Sequence, residues 1–188
     1  MFTLRKLTLA LALTGLLSTP VLAETTVLAS LPITFGLSEL LLKDSGVKLQ
    51  RAAPANLPGS RQSAYFSSRG APALHSLATK ADAVIGLRSV WSDDPLYPMA
   101  RRSNIRIVEV DAARPVDGSL PGIAVQPGVH VDGLNSQPWL TSNNMGRMAD
   151  VIAADLVRLA PDAKPRIEAN LASLKQRLLK LSADSEAQ

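Results

Sequence analysis

Hydrophobic and polar positions in this chain follow two periods, one suited to strands and one to helices. Four short stretches read as strands: Thr26–Leu31, Val47–Ala53, Ala81–Leu87 and Ile105–Val110. The first and third are apolar almost throughout, as strands buried on both faces of a sheet must be. The second is weaker, because it holds Lys48, Gln50 and Arg51. The fourth sets Ile105, Ile107 and Val108 among Arg106 and Glu109. Helical spacing occupies the gaps: Phe35–Lys43 with Leu37, Leu40 and Leu41 inward and Gly46 as terminator, then Pro72–Lys80 and Pro95–Arg102.

Two longer helices close the chain. Ser142 or Asn143 can cap the first, whose apolar face carries Met145, Met148, Ile152, Leu156 and Leu159. Pro161 breaks it. Asp162 can cap the second, and Pro165 is tolerated in its first turn. Ile167, Leu171, Leu174, Leu178 and Leu181 then form a narrow seam that needs an apolar surface along its length. From Asp162 to Ser182 this helix would span roughly 30 Å.

Strands alternating with helices predict an α/β fold: a four-stranded parallel sheet with helices on both faces, followed by a long C-terminal helix. Ligands of such sheets bind beyond the carboxyl ends of the strands. Here those ends are Leu31 to Ile33, the polar stretch 54–70, Gly86 to Ser89, and Asp111 onward. The 54–70 connection is longer than usual, so it is expected to be functional or disordered. Residues 111–137 are rich in Gly and Pro, lack periodicity and read as loop.

Composition narrows the class. At 188 residues with 46% hydrophobic content, one core of ordinary size is expected. There is no cysteine, which excludes disulfides, thiolate metal sites and a cysteine nucleophile. Arg5 and Lys6, the apolar run Leu7 to Leu17, and Val21-Leu22-Ala23 have the form of a signal peptide cleaved after Ala23, and the expected address is the periplasm. The expected division is therefore a signal at 1–23, a single α/β lobe at 24–160, and a linking helix and tail at 161–188. Without Arg5 and Lys6, the 20 basic residues become 18 against 16 acidic ones, a balance of +2. So mild a charge gives no reason to expect nucleic acid.

Few residues offer chemistry. The chain has two histidines, His75 and His130. His75 falls within a helix and reads as a surface residue. His130 and Asp132, two apart on an extended segment, would point the same way and could supply half of a zinc or manganese site, or simply be solvated. Asp93-Asp94 before Pro95 reads first as a helix cap. No nucleophile elbow, phosphate loop or dinucleotide fingerprint is present, so no enzyme is expected. Arg51, Arg61, Arg69 and Arg88 fall at or near strand carboxyl ends, where arginine can hold an anion through forked hydrogen bonds or else lie solvated.

Several segments, in order, resemble the periplasmic solute-binding proteins of zinc and manganese ABC transporters. TVLASLPITFGLSELLL is similar to that family's opening strand and helix. Ala71-Pro72 through Leu87 resembles its P-S-D-x-x-x-L-x-K-A-D-x-V stretch, and RIVEVDAARPVDG its next strand and turn. Gln137 to Ala160 resembles its P-H-V-W-L-D-P-x-N segment, and 161–184 its long linking helix. The resemblance implies metal bound between two lobes joined by that helix, with an inner-membrane ABC permease or another periplasmic metal-handling protein as partner. It also implies ligand histidines at two positions, of which the first here holds Phe66, or Tyr65 if the loop slips by one, and the second holds Gln137. Phenylalanine cannot ligate a metal, and a neutral amide is a poor zinc ligand.

The expectation is thus a one-lobe accessory of zinc or manganese uptake with weak or indirect metal binding. Its candidate metal residues are His130 and Asp132, and its candidate ligand cleft includes Phe66, Arg69, Arg88 and Gln137. The alternatives are an interaction lobe, including a homodimer through the leucine seam, and a binder of an anion or chelated metal.

Overall fold

A computed structural model describes residues 24–116, 118–123 and 141–187. The expected signal peptide and the candidate residues His130, Asp132 and Gln137 lie outside the described residues.

The sheet holds four parallel strands: β1 (Thr26–Ala29), β2 (Lys48–Arg51), β3 (Ala83–Gly86) and β4 (Val108–Asp111), in the order β2-β1-β3-β4. Among the described residues six α-helices accompany them: α1 (Pro32–Leu42), α2 (Gln62–Phe66), α3 (Ala71–Lys80), α4 (Leu96–Ser103), α5 (Ser142–Leu159) and α6 (Lys164–Glu186). Side chains of a strand alternate between faces, and the register sorts them. Val27, Ala29, Ala83, Ile85 and Val110 join one core with α1, α5 and α6. Leu28 and Val84 join a second, smaller core with α2, α3 and α4. The α/β architecture with helices on both faces is as the sequence predicts.

Local contacts shift several boundaries. β4 starts at Val108 rather than Ile105, because Ile105 and Arg106 form a turn and Ile105 is 76% exposed. Asn104 braces that turn: its Nδ2 donates to the Ala78 and Ala81 carbonyls at 3.0 Å, and its Oδ1 accepts from the Arg106 amide at 3.1 Å. The 54–70 connection contains a 3₁₀ turn (Gly59–Arg61) and α2. Gln62 anchors it, fully buried, its Nε2 donating to the Ser30 carbonyl at 2.9 Å beside the end of β1.

The closing helices also differ in their caps. Thr141, not Ser142 or Asn143, caps α5, its Oγ1 accepting from the Asn144 amide at 3.2 Å. Asp162 does not cap α6. It lies in a 3₁₀ turn (Pro161–Ala163), and α6 begins at Lys164 with Pro165 in its first turn, where a missing N–H costs nothing. The seam of α6 is covered by the chain itself. Ile167, Leu174 and Leu178 are buried against the first core and Leu171 is partly so. Asn170 Nδ2 ties α6 to the end of α1 by donating to the Leu41 and Lys43 carbonyls at 2.9 and 2.8 Å. Leu174 and Leu178 are therefore not free to form a dimer seam. Leu181 is 60% exposed, because the last turns of α6 run past the surface that covers the rest. Among the described residues no helix is long and apolar enough to cross a membrane.

Candidate functional site

The carboxyl ends of β3 and β4 border an open depression of about 530 Å³. Parallel pairing brings Gly86 opposite Asp111, so the residues after β3 meet those at the end of β4. Glu109 and Asp111 are two apart on a strand and share a face, while Val110 between them is buried in the first core.

Arg88 and Glu109 form a fork. Arg88 Nε donates to Glu109 Oε2 at 2.7 Å, and Nη2 donates to Oε1 at 2.8 Å. The guanidinium also lies over the Tyr97 ring, 5.2 Å from its centre. The hydrogen bond with Glu109 holds the Arg88 pKa above its ordinary value. Asp111 is equally engaged: one oxygen accepts from the Ser89 amide at 2.8 Å, and the other from the Ser89 hydroxyl at 2.9 Å and the Ala113 amide at 3.0 Å. Beneath this layer lies Asp94, buried, one oxygen accepting from the Leu87 amide at 2.8 Å and the other from the Leu96 amide at 3.2 Å. It joins the end of β3 to the start of α4 from the residue before the helix's N-cap, Pro95, so Asp94 tethers the helix start without being the cap that the Asp93-Asp94 pair was expected to supply. Gly86 permits this approach, since a Cβ there would sit 2.6 Å from Asp94 Oδ2. Burial pushes the pKa values of both Asp94 and Asp111 up, more than their hydrogen bonds lower them.

Such a site has limited free chemistry. Arg88 is neutralised by Glu109 and the lone pairs of Asp111 are largely spoken for, so among the described residues neither an anion nor a bare cation finds a ready set of open ligands. Among the described residues no group of three or more His, Asp or Glu side chains could hold a metal ion. Arg114, exposed on the rim, makes no ion pair among the described residues and is the cation left over.

The sequence-predicted site residues do not converge on one cavity. Arg88 borders the strand-end depression. Phe66 is 1% exposed, inside the second core, its ring 5.6 Å from that of Tyr65. Arg69 lies over Tyr65 at 5.7 Å, and Arg51 lies over Phe35 at 3.7 Å. His75 shares a 2.8 Å hydrogen bond between its Nδ1 and Ser103 Oγ, between α3 and α4. Sequence reasoning missed the roles of Glu109, Asp111 and Ser89. The signal available was the acidic alternation Glu109-Val110-Asp111 at a strand's carboxyl end, since acids flanking a buried valine there must face the ligand side of the sheet.

No family model matches the chain, and no curated protein matches it. Solved structures do. The fold is similar to that of ZnuA, at 21% identity and a TM-score of 0.60 over 84% of this chain and 56% of that one. It is similar to FpvC from Pseudomonas aeruginosa in complex with manganese, at 20% identity and a TM-score of 0.65 over 87% of this chain and 55% of that one. A periplasmic metal-binding protein from Candidatus Liberibacter asiaticus matches at 15% identity and a TM-score of 0.62, over 82% and 52%. Further similar structures are a ZnuA deletion mutant with zinc bound and FpvC in complex with nickel. This chain therefore has the fold of the metal-binding solute-binding proteins, over about half of their length.

Proposed function

We propose that the chain is a periplasmic accessory lobe of a zinc or manganese uptake system, handling metal weakly or indirectly rather than as a tight receptor. The observation that carries this reading is the burial of Phe66 in the second core, at the position where the family resemblance puts a ligand histidine. The fold likeness supports the metal-uptake setting, and the saturated carboxylates of Asp94, Glu109 and Asp111 support weak metal binding. His130 and Asp132 are the residues proposed to supply what direct contact there is. In this reading the lobe spans 24–160, export follows cleavage after Ala23, and the partner is an inner-membrane ABC permease or another periplasmic metal-handling protein.

Calorimetric titration of zinc and manganese into chelator-treated protein tests it. The expected result is no binding tighter than micromolar and, for any weak binding seen, its loss in His130→Ala. Submicromolar binding of one ion per chain would overturn the proposal.

A second reading, an interaction lobe, is favoured by one observation: Leu179 and Leu181 near the end of α6 are 71% and 60% exposed. A homodimer would use these residues rather than the buried Leu174 and Leu178. Sedimentation of wild type and Leu179→Ser/Leu181→Ser checks this, and a monomer at high wild-type concentration removes the homodimer.

A further inference from the structure

On the face of the sheet opposite α6, a second pocket of about 260 Å³ opens between α2, α3 and α4. Its floor is apolar: Phe66 and Leu74 are 1% and 3% exposed, and Met99 is half-buried beside them. Its rim is polar and cationic, formed by His75 of α3 and by Arg102 and Ser103 at the end of α4. Arg102 is exposed and makes no hydrogen bond or ion pair among the described residues. The 2.8 Å hydrogen bond between His75 Nδ1 and Ser103 Oγ fixes the imidazole ring. With the Ser103 hydroxyl donating to Nδ1, Nε2 carries the ring hydrogen and is a donor. Among the described residues no carboxylate lines the pocket.

We propose that this pocket binds a small apolar carboxylate, held at its charged end by Arg102 and His75 and at its apolar body by Met99 and Ala71, the lining residues whose apolar side chains are accessible. The lining decides the class step by step. An unpaired guanidinium with a single imidazole and no acid repels a metal cation and suits an anion. The accessible apolar surface of Met99 and Ala71, over the closed bed of Phe66 and Leu74, gains from an apolar body and gives nothing to bare phosphate or sulfate. The planar fork of arginine matches a carboxylate. The volume lies below the ~300–1,000 Å³ of drug-sized sites, so the ligand is small. The proposal does not depend on the metal-uptake reading, because no residue proposed to contact metal lines this pocket.

Amide NMR titration of the full chain with phenylacetate tests it, with phenylacetamide, 2-phenylethylamine and inorganic phosphate as separate arms. Saturable shifts centred on His75, Met99 and Ser103 are expected for phenylacetate alone. Arg102→Gln should weaken that binding by about tenfold, the scale of one charge-assisted bidentate contact. His75→Gln should weaken it less, and Arg101→Gln, one position along α4, should leave it unchanged. Since Arg102 and His75 are exposed, both variants should keep the wild-type spectrum elsewhere. Equal binding of the amide or of phosphate, shifts spread evenly over Arg101 and Arg106, or no saturation with phenylacetate would each overturn the proposal.

Discussion

The two faces of the sheet are covered in different ways. One face is overlaid by α1, α5 and α6, long helices whose apolar stripes meet in a continuous core of Met148, Ile152, Leu156 and Ile167 with the strands. The other is overlaid by α2, α3 and α4, which are shorter and are held by individual polar anchors: Gln62 to Ser30, Asp94 to Leu87 and Leu96, and Asn104 to Ala78 and Ala81. The two pockets described above border this second face. Burial is spread over many contacts on the first face, so no one of them is special. On the second, single hydrogen bonds set where loops lie, and side chains such as Arg88, Glu109, His75 and Arg102 can be placed for binding without disturbing a large core.

The largest break in this comparison should come from Phe66→His, which restores the residue the family resemblance implies. The imidazole would replace a ring that is 1% exposed, so the loss should approach the ~3–5 kcal/mol of a buried phenylalanine truncation, with polar burial added. Urea unfolding measures it, and zinc affinity should not rise. A gain in zinc affinity with stability intact would mean that the second face can still form the family's site.

On the first face, Ile167→Ala should cost about 2–5 kcal/mol, because Ile167 is fully buried between α6 and the core. Leu181→Ala, 14 residues further along the same stripe, should stay within about 0.5 kcal/mol because its side chain is exposed. Equal effects in urea unfolding would show that α6 packs along its whole length.

Asp94 gives a pH-dependent test of the second face. Its folded pKa is raised by burial, so the folded state holds a proton that the unfolded state has already released. The resulting stabilisation is full below the ordinary aspartate value of about 3.9 and is lost as pH rises through the raised folded value. Asp111, raised for the same reason, adds to it. Asp94→Asn should therefore flatten the pH dependence of unfolding in that window. It should also cost about 1–3 kcal/mol, because one of the two amides that Asp94 accepts from loses its acceptor. An unchanged pH profile would mean that the carboxyl titrates normally.

The smallest effect is expected at Lys175→Ala, which removes an exposed pair with Asp150 between α5 and α6 at 2.9 Å. A loss of at most about 1 kcal/mol by thermal unfolding is expected, declining further in high salt. A larger loss would mean that this pair, and not the leucine stripe, fixes the helix hairpin.

Parts of this were legible in the chain and parts were not. The apolar runs of β1 and β3 and the 3.6-residue stripes of α5 and α6 give strand, helix and layer, because each period reports which faces are buried. Met148, Ile152, Leu156 and Ile167 follow from spacing alone. Caps and strand starts were less legible: Thr141, Asn104 and the turn at Ile105 are settled by hydrogen bonds between groups that any of several neighbouring residues could have made. The candidate site was legible only as a place and as Arg88. Its partner Glu109 lies 21 residues away and the Ser89–Asp111 pair is separated by 22, and these meet only because β3 and β4 lie side by side in register.

The sequence by itself therefore determined the α/β class, the order of elements, the closing helices and the loss of the histidines that the family resemblance implies, since all of these are written in residue identity and local period. Only the tertiary structure decided that Arg88 is neutralised, that Phe66 belongs to the core, that the α6 seam is covered by its own lobe, and that His75, Arg102 and Ser103 share a pocket. Each of those depends on residues far apart in the chain being brought within hydrogen-bond or van der Waals distance, and no local pattern encodes that meeting.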